Sequence, residues 1–260
     1  MLGNQLIVEL KRACTVKNLL LWAAILIVIP TIRFYTIKEG YQFSDPIEVF
    51  QEMVSTIISL LFPALAIIIY LPSFLQEQKN NFISYTRTRT SLNTYLLSKG
   101  IINACLTGIV MFLLVFLTFV FAVYVEPHLG IIYYSPIDEN SVIPRVTFSQ
   151  FLSYGDLTYG VIYSLWVSIN AVVYSTIAFM LLLIIENPFV ALSAPFLYYH
   201  IFNFITGVLA APWFSPLSTI FPFNIVEQAL WTVFVPFSFL LIVIIGLYIF
   251  AIRNRKEWMI

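Results

Sequence analysis

The segment IINACLTGIVMFLLVFLTFVFAVYV, residues 101 to 125, contains no charged side chain over its whole length. A helix rises 1.5 Å per residue, so about twenty residues cross the ~30 Å hydrocarbon layer of a bilayer. Its apolar residues follow one another without alternation, whereas strands of a membrane barrel alternate apolar and polar positions. The segment therefore reads as a transmembrane helix. Comparable runs at 19 to 37, 53 to 75, 157 to 185, 190 to 211 and 230 to 252 bring the expected number of spans to six. The fold class that follows is an all-α membrane protein, with residues 1 to 260 forming one six-span domain.

Composition points the same way. With 60% hydrophobic and 10% charged residues, 24 Phe, 15 Tyr and a mean hydropathy of +0.93, there is too little polar surface to cover a soluble globule. The first apolar run follows Glu9, Lys11, Arg12 and Lys17, and no small-residue cleavage pattern comes after it. It is read as a retained helix and not as a signal peptide.

Basic residues set the expected orientation, because short cytoplasmic loops carry an excess of Lys and Arg. With both termini cytoplasmic, ten of the thirteen fall inside: Lys11, Arg12, Lys17, Lys79, Arg87, Arg89, Lys99, Arg253, Arg255 and Lys256. Arg33, Lys38 and Arg145 fall outside, where most of the acids also lie. The formal net charge of zero thus conceals a polarised distribution and gives no footprint for nucleic acid. Cys14 and Cys105 both fall on the cytoplasmic side, where a disulfide is disfavoured.

The connecting segments are informative. Residues 4 to 18, NQLIVELKRACTVKN, space Leu6, Ile7, Leu10, Ala13 and Cys14 at i, i+3 and i+4, with Glu9, Lys11, Arg12 and Lys17 largely elsewhere on the wheel. Two readings suit this pattern: an amphipathic helix in the inner interface, its basic residues facing anionic headgroups, or a helical extension that fixes orientation. Residues 126 to 156 are the longest external loop, punctuated by Pro127, Pro136 and Pro144. Only residues 186 to 189, ENPF, join spans 4 and 5. Residues 211 to 228 are apolar and aromatic but broken by Pro212, Pro216 and Pro222, which predicts short helices dipping into the outer leaflet.

Few groups suited to chemistry appear. There is no G-x-S-x-G nucleophile frame, no paired-carboxylate motif within a span, no H-E-x-x-H or C-x-x-C pattern, and no G-x-x-x-x-G-K-[ST] loop for ATP. No catalytic residue and no metal ligand is assigned. Within the spans, Asn170, Tyr198, Tyr199, His200 and Asn203 are candidate cavity residues. His200 lies ~15 Å along span 5, near the midplane, where an ionisable group suggests function. A neutral His or Asn bonded to a neighbouring helix is the competing reading. Arg33 is expected to snorkel to headgroups, with pairing to Glu52 or Glu227 as the alternative.

The most polar interlude is QEQKNNFISYTRTRTSLNTYLLSKG, residues 76 to 100. Phe82 with Tyr85, and Leu92 with Tyr95, Leu96 and Lys99, repeat at helical spacing around a polar corner at Thr86 to Thr90. Two short helices are expected, one continuing span 2 and one leading into span 3, with an aromatic face suited to a partner's groove; a solvated, positive-inside loop is the competing reading.

This loop resembles the corresponding loop of the permease subunits of type-2 ABC transporters, the ABC-2 membrane-domain family, through Glu77, Asn80, Asn81, Ile83, Tyr85, Thr86, Arg87, Tyr95, Leu96 and Lys99. The layout of helix, six spans, short turn and broken outer segment is similar as well. The chain departs from the pattern at Asn80-Asn81, where many members have Gly, and at Thr88-Arg89, where they often have Pro, and no subfamily is assigned.

The resemblance implies an elbow helix bearing Glu9, Lys11 and Arg12. It also implies a cytoplasmic coupling helix contacting the ATPase subunits through Glu77, Lys79, Phe82, Tyr85, Thr86, Arg87 and Arg89, and re-entrant helices between spans 5 and 6. The implied partners are two cytosolic ATP-binding cassette subunits, which hold the ATP and Mg, a second permease identical or different, and membrane lipid. This chain is expected to bind no cofactor and to be no enzyme itself. The setting is a prokaryotic plasma membrane. The aromatic spans favour a hydrophobic or amphipathic cargo, such as a bacteriocin or antimicrobial peptide, a drug or a lipid-like molecule. A secondary carrier or channel working without ATP is the alternative.

Overall fold

The computed structural model describes residues 2–80, 91–135 and 146–253. It is about 83% helical, with no strand among the described residues. Helix α1 (Leu2–Ala13) turns through Cys14 and Thr15 into α2 (Val16–Ile37). Thr15 caps α2 by accepting from the Asn18 amide at 3.3 Å, so the corner follows from an N-cap hydroxyl. Then come α3 (Pro46–Ser55), α4 (Ile57–Ile68) and α5 (Leu71–Lys79). Helix α6 (Leu92–Val120) passes through a π-helical turn (Phe121–Val125) into α7 (Glu126–Leu129). It is followed by α8 (Asp156–Ile184), α9 (Pro188–Val208), α10 (Pro216–Ile220) and α11 (Trp231–Arg253).

Six of these helical stretches are long and apolar enough to cross a membrane: Val16–Ile37, Ile57–Lys79, Leu92–Leu129, Asp156–Ile184, Pro188–Val208 and Trp231–Ala251. The number agrees with the hydropathy reading, but several boundaries move, most of all the start of span 3 beside the polar interlude. The helix of span 3 starts at Leu92, well before residue 101, because Ser91 caps it by accepting from the Thr94 amide and because its polar residues Ser98 and Lys99 are buried. Span 2 continues to Lys79. Both ends of the polar interlude are therefore helical, while the coupling helix expected over its centre lies outside the described residues, at 81–90.

Helices α6 and α8 form the central pair. A Cβ on Gly160 would come within 2.4 Å of the Phe119 ring, and Ser168 donates to the Gly108 carbonyl at 2.8 Å. Small residues and interhelical hydrogen bonds are how helices approach closely in a medium that offers no hydrophobic drive between them. Around this pair aromatic side chains interlock, with Phe50 edge-on to Phe119, Tyr159 and Tyr163, and Phe62 edge-on to Tyr174 and Phe221. Spans 2 and 4 are each 61% buried, whereas spans 5 and 6 are 22% and 17% buried, so the last two form the rim of the bundle.

Span 2 carries two prolines, and a neighbouring helix takes up the carbonyl that Pro63 releases. Pro63 has no N–H for the carbonyl of Ser59 four residues earlier, and that carbonyl accepts from the Tyr199 hydroxyl at 3.0 Å. The next carbonyl, of Leu60, lies 3.1 Å from His200 Nε2, a contact that places the ring proton on Nε2. The chain breaks again before Pro72, where Trp22 Nε1 donates to the Ile69 carbonyl at 3.0 Å.

At the end of the bundle that holds α7, Arg33 does not snorkel. Its Nη2 lies 2.6 Å from Glu52 Oε2 and its Nε donates to the Glu52 carbonyl at 3.0 Å, because α3 brings a carboxylate within reach of a guanidinium that is itself buried. Nearby, buried Glu126 accepts from the Ile132 amide at 2.7 Å and from the Tyr134 hydroxyl, and Tyr134 pairs with Phe43 in an isolated bridge. Burial, then the bond to Glu126, then the charges of Glu126 and Asp45 push the Tyr134 phenol above its ordinary pKa.

Candidate functional site

At the opposite end, where α1 lies, three charged residues from three helices meet, two of them, Lys99 and Glu9, out of contact with solvent. Lys99, in the second turn of α6, has its side chain 1% exposed. Its Nζ touches Glu9 Oε2 of α1 and lies 2.6 Å from Glu77 Oε2 of α5. Glu9 is fully buried, and its other oxygen accepts from Gln5 at 2.8 Å and lies 3.5 Å from Arg12, a half-exposed residue one turn along α1. Glu77 also accepts from the Tyr95 hydroxyl at 3.0 Å. The Lys99 ammonium stands 5.4 Å from the centre of the Tyr95 ring, the i, i+4 partner on the same face of α6. Tyr70 adds a buried hydroxyl that has no hydrogen-bond partner among the described residues.

A second set of bonds fastens the corner between α1 and α2 to the same place. Asn18 Nδ2 donates to the Ala13 carbonyl at 2.8 Å and to Ser73 Oγ of α5 at 3.0 Å. Together with Trp22 on Ile69, these bonds tie α1 and α2 to α5, while Lys99 ties α1 and α5 to α6. An ammonium buried between two carboxylates is costly to desolvate and costly to disrupt one partner at a time, so the arrangement favours concerted movement of the three helices over independent movement. The cluster can transmit displacement: shifting the end of α5 against the start of α6 stretches Lys99 against Glu77, and Lys99 carries the strain to Glu9.

Four of the residues named for the elbow and the loop, and Lys79 at the end of α5, fall among the described residues. Glu9 leaves the polar face assigned to it and joins Ala13 on the buried side, because Lys99 waits there as its counter-ion, while Ile7, Val8 and Leu10 are exposed. Lys11 and Arg12 are exposed. Glu77 is part-buried in the cluster, and Lys79 ends α5. Phe82, Tyr85, Thr86, Arg87 and Arg89 lie outside the described residues.

The five candidate cavity residues do not converge on one space. Asn170 donates to the Trp166 carbonyl of its own helix at 2.9 Å, and Tyr198 stacks on Phe202 and Phe239. Tyr199 bonds the carbonyl released by Pro63, and His200 Nε2 lies 3.1 Å from the next carbonyl, of Leu60, on span 2. Asn203 is half-buried one turn further on.

Lys99 and Tyr95 carry the cluster, and their sequence signal is a Lys following a Tyr at i, i+4 at the mouth of an apolar helix. A charge there needs a counter-ion, and Glu9 and Glu77 are the acids on the flanking segments. No group of three or more His, Cys, Asp or Glu stands together among the described residues. Comparison with protein-family models, with curated proteins and with solved structures finds no match to this chain.

Proposed function

We propose that this chain is the membrane-spanning permease subunit of an ATP-driven exporter of the ABC-2 type, moving a hydrophobic or amphipathic substrate out of the cytoplasm or inner leaflet. The observation that carries this reading is Lys99 held between Glu9 and Glu77. A transporter powered by separate cytosolic ATPases needs a stiff link from the loop they push to the helices that move. In this reading the α1 end is cytoplasmic, α1 is the elbow, and residues 81–90 with the adjoining ends of α5 and α6 dock on the ATPase. The charge cluster passes their motion to the elbow and span 1.

The broken segment after span 5 supports the same layout. The carbonyls of Ile220 and Thr219, at the end of α10, accept from Tyr163 at 3.0 Å and from Trp166 at 2.9 Å. Trp166 lies ~15 Å along α8 from Asp156 at 1.5 Å per residue, a depth that suits a re-entrant hairpin. ATP and Mg belong to the two partner ATPases, and a second permease, identical or different, completes the pathway.

Affinity purification of the chain from its native membrane tests the proposal. A P-loop subunit should copurify in stoichiometric amount, and Arg87→Glu should reduce its recovery by about tenfold with the spans still folded, the scale expected for reversing a charge at a docking contact. Substrate movement by the purified chain alone in vesicles, with no such subunit and no response to ATP, would overturn it in favour of a secondary carrier.

A further inference from the structure

Polar bonds sort the helices at the α1 end into two groups. One gathers around the charge cluster: Glu9 of α1, Glu77 of α5, and Tyr95 and Lys99 of α6. The other holds to the middle of the bundle. There Thr107 of α6 donates to the Ala66 carbonyl of α4 at 3.3 Å, Asn103 of α6 donates to Ser175 of α8 at 3.2 Å, and the Ser59 carbonyl of α4 accepts from Tyr199 at 3.0 Å.

Span 2 and α6 both run from one group into the other, and in both the backbone is weak at the crossing. In span 2 the helix is interrupted there: α4 ends at Ile68, Tyr70 stands at φ −133° and ψ −39°, and Pro72 in the first turn of α5 has no N–H for the Ile68 carbonyl. In α6 the crossing lies between Lys99 and Asn103, where Gly100 stands. Ser98 donates to the Tyr95 carbonyl at 2.7 Å, a back-bond that competes with the helix ladder just before that glycine. Proline, glycine with serine, and such side-chain insertions are where helices bend. The two weak points lie at matching height, because Glu77 meets Tyr95 and Lys99 on one side of them and Ala66 meets Thr107 on the other.

The surface between the groups is apolar. Phe74 of α5 sets its ring 5.1 Å from the ring of Phe179 in α8, and a Cβ on Gly100 would stand 3.5 Å from the same Phe179 ring. Among the described residues no hydrogen bond or ion pair joins α8 to residues 73–79 or 92–99. Packed helices with such contacts slide by small amounts. Helix α2 has no break at this height. Its Asn18 and Trp22 instead hold Ser73 and Ile69, on either side of Tyr70, at 3.0 Å each, so the interruption itself is fixed against α2. Helix α1 parts from α2 at the Cys14–Thr15 turn.

We propose that α1, α5 and the first turns of α6, up to Lys99, form one body that pivots against the rest of the bundle about Ile69–Tyr70 in span 2 and Gly100 in α6. Glu77 lies ~10 Å beyond Tyr70 at 1.5 Å per residue. A turn of about 10° therefore carries it by about 2 Å, the scale of helix shifts in switching proteins. The Lys99 bridge makes the three pieces turn together, and residues 81–90 connect two parts of the same body. The pivot belongs to the chain alone, so it can fail while the transport reading stands, and the reverse.

Double electron–electron resonance on the full chain in lipid nanodiscs tests the pivot. One nitroxide is placed on α1 at the exposed position of Ile7→Cys and the other on the exposed native Cys105, beyond Gly100, with Cys14→Ser removing the remaining thiol. The distance distribution across the pivot should be about 2 Å wider than in two reference pairs. The first, within the body, is Ile7→Cys with Leu97→Cys in a chain that also carries Cys14→Ser and Cys105→Ser. The second, within the rest of the bundle, is Cys105 with Leu197→Cys, again with Cys14→Ser; both added positions are exposed. Pro72→Ala combined with Gly100→Ala should narrow the distribution across the pivot to the reference width, since the added Cβ at Gly100 makes only ordinary contact with Phe179. Equal widths in all three pairs would overturn the proposal, and that comparison requires neither helix substitution to fold. A spread as large within the body would overturn its unity, and an unchanged width in the double substitution would overturn the placement of the pivot.

Discussion

The two ends of the bundle handle buried charge differently. At the α1 end, one ammonium serves two carboxylates from different helices, and both Lys99 and Glu9 are sealed from water. At the α7 end, Arg33 meets a single carboxylate, on Glu52, that is 31% exposed, while buried Glu126 is held by the neutral donors of Ile132 and Tyr134. The contrast lies in what removal of one partner leaves behind. Take away Lys99, and the Glu9 carboxylate loses its closest cation in a fully buried place, whatever the part-exposed Glu77 does. Take away Arg33, and Glu52 turns to water. The α1 end is therefore fixed by mutual dependence and the α7 end by separable contacts.

The largest effect that would break this comparison is predicted for Lys99→Met, which keeps the side-chain length and removes the charge. It should destabilise the chain by about 3–5 kcal/mol, measured by denaturant or thermal unfolding in detergent. The triple change Glu9→Gln, Lys99→Met, Glu77→Gln should recover most of that loss, because neutral partners carry no uncompensated charge. A cost under about 1 kcal/mol for the single change would show that the cluster is wet and place it with the α7 end.

Arg33→Met comes next, at about 1–3 kcal/mol, smaller because Glu52 is partly solvated. A loss equal to that of Lys99→Met would erase the distinction between the ends.

Tyr134→Phe should have the smallest effect, about 0.5–1.5 kcal/mol for one hydrogen bond. It also carries a pH signature. The folded state raises the Tyr134 pKa, so the stabilisation is complete below the ordinary tyrosine value of ~10 and is lost as pH rises through the folded value. The stability difference between the native chain and Tyr134→Phe should therefore shrink in alkaline solution. A constant difference across that range would mean that the phenol does not favour its neutral form in the fold.

Hydropathy makes the six spans legible because each is a long run of side chains that prefer hydrocarbon, a property carried residue by residue. It misplaces the start of span 3 for the same reason. Ser98 and Lys99 look like solvent-seeking residues until their partners are known, and the partners of Lys99 lie on two other segments. Glu9 and Glu77 stand out individually in the sequence, one as the acid of a basic helix and one as part of a family-like loop. Their meeting through Lys99 depends on where α1 folds back, which no local pattern encodes. Likewise His200 attracts notice as an ionisable residue at mid-depth, yet the carbonyl it meets, of Leu60, lies on a different span that its own sequence neighbourhood does not reveal.

The bonds around Pro63 have a consequence for biosynthesis. Tyr199 and His200 lie 140 residues beyond the carbonyls they satisfy. At about 5–20 residues per second, a ribosome needs roughly seven to thirty seconds to bridge that interval. During that time span 2 must wait in or near the insertion machinery with the carbonyl of Ser59 unserved, or borrow a donor from water. The proline site of the second span is thus among the last features of the molecule to be completed, and a nascent chain stopped before its fifth span would carry an unfinished helix near its beginning.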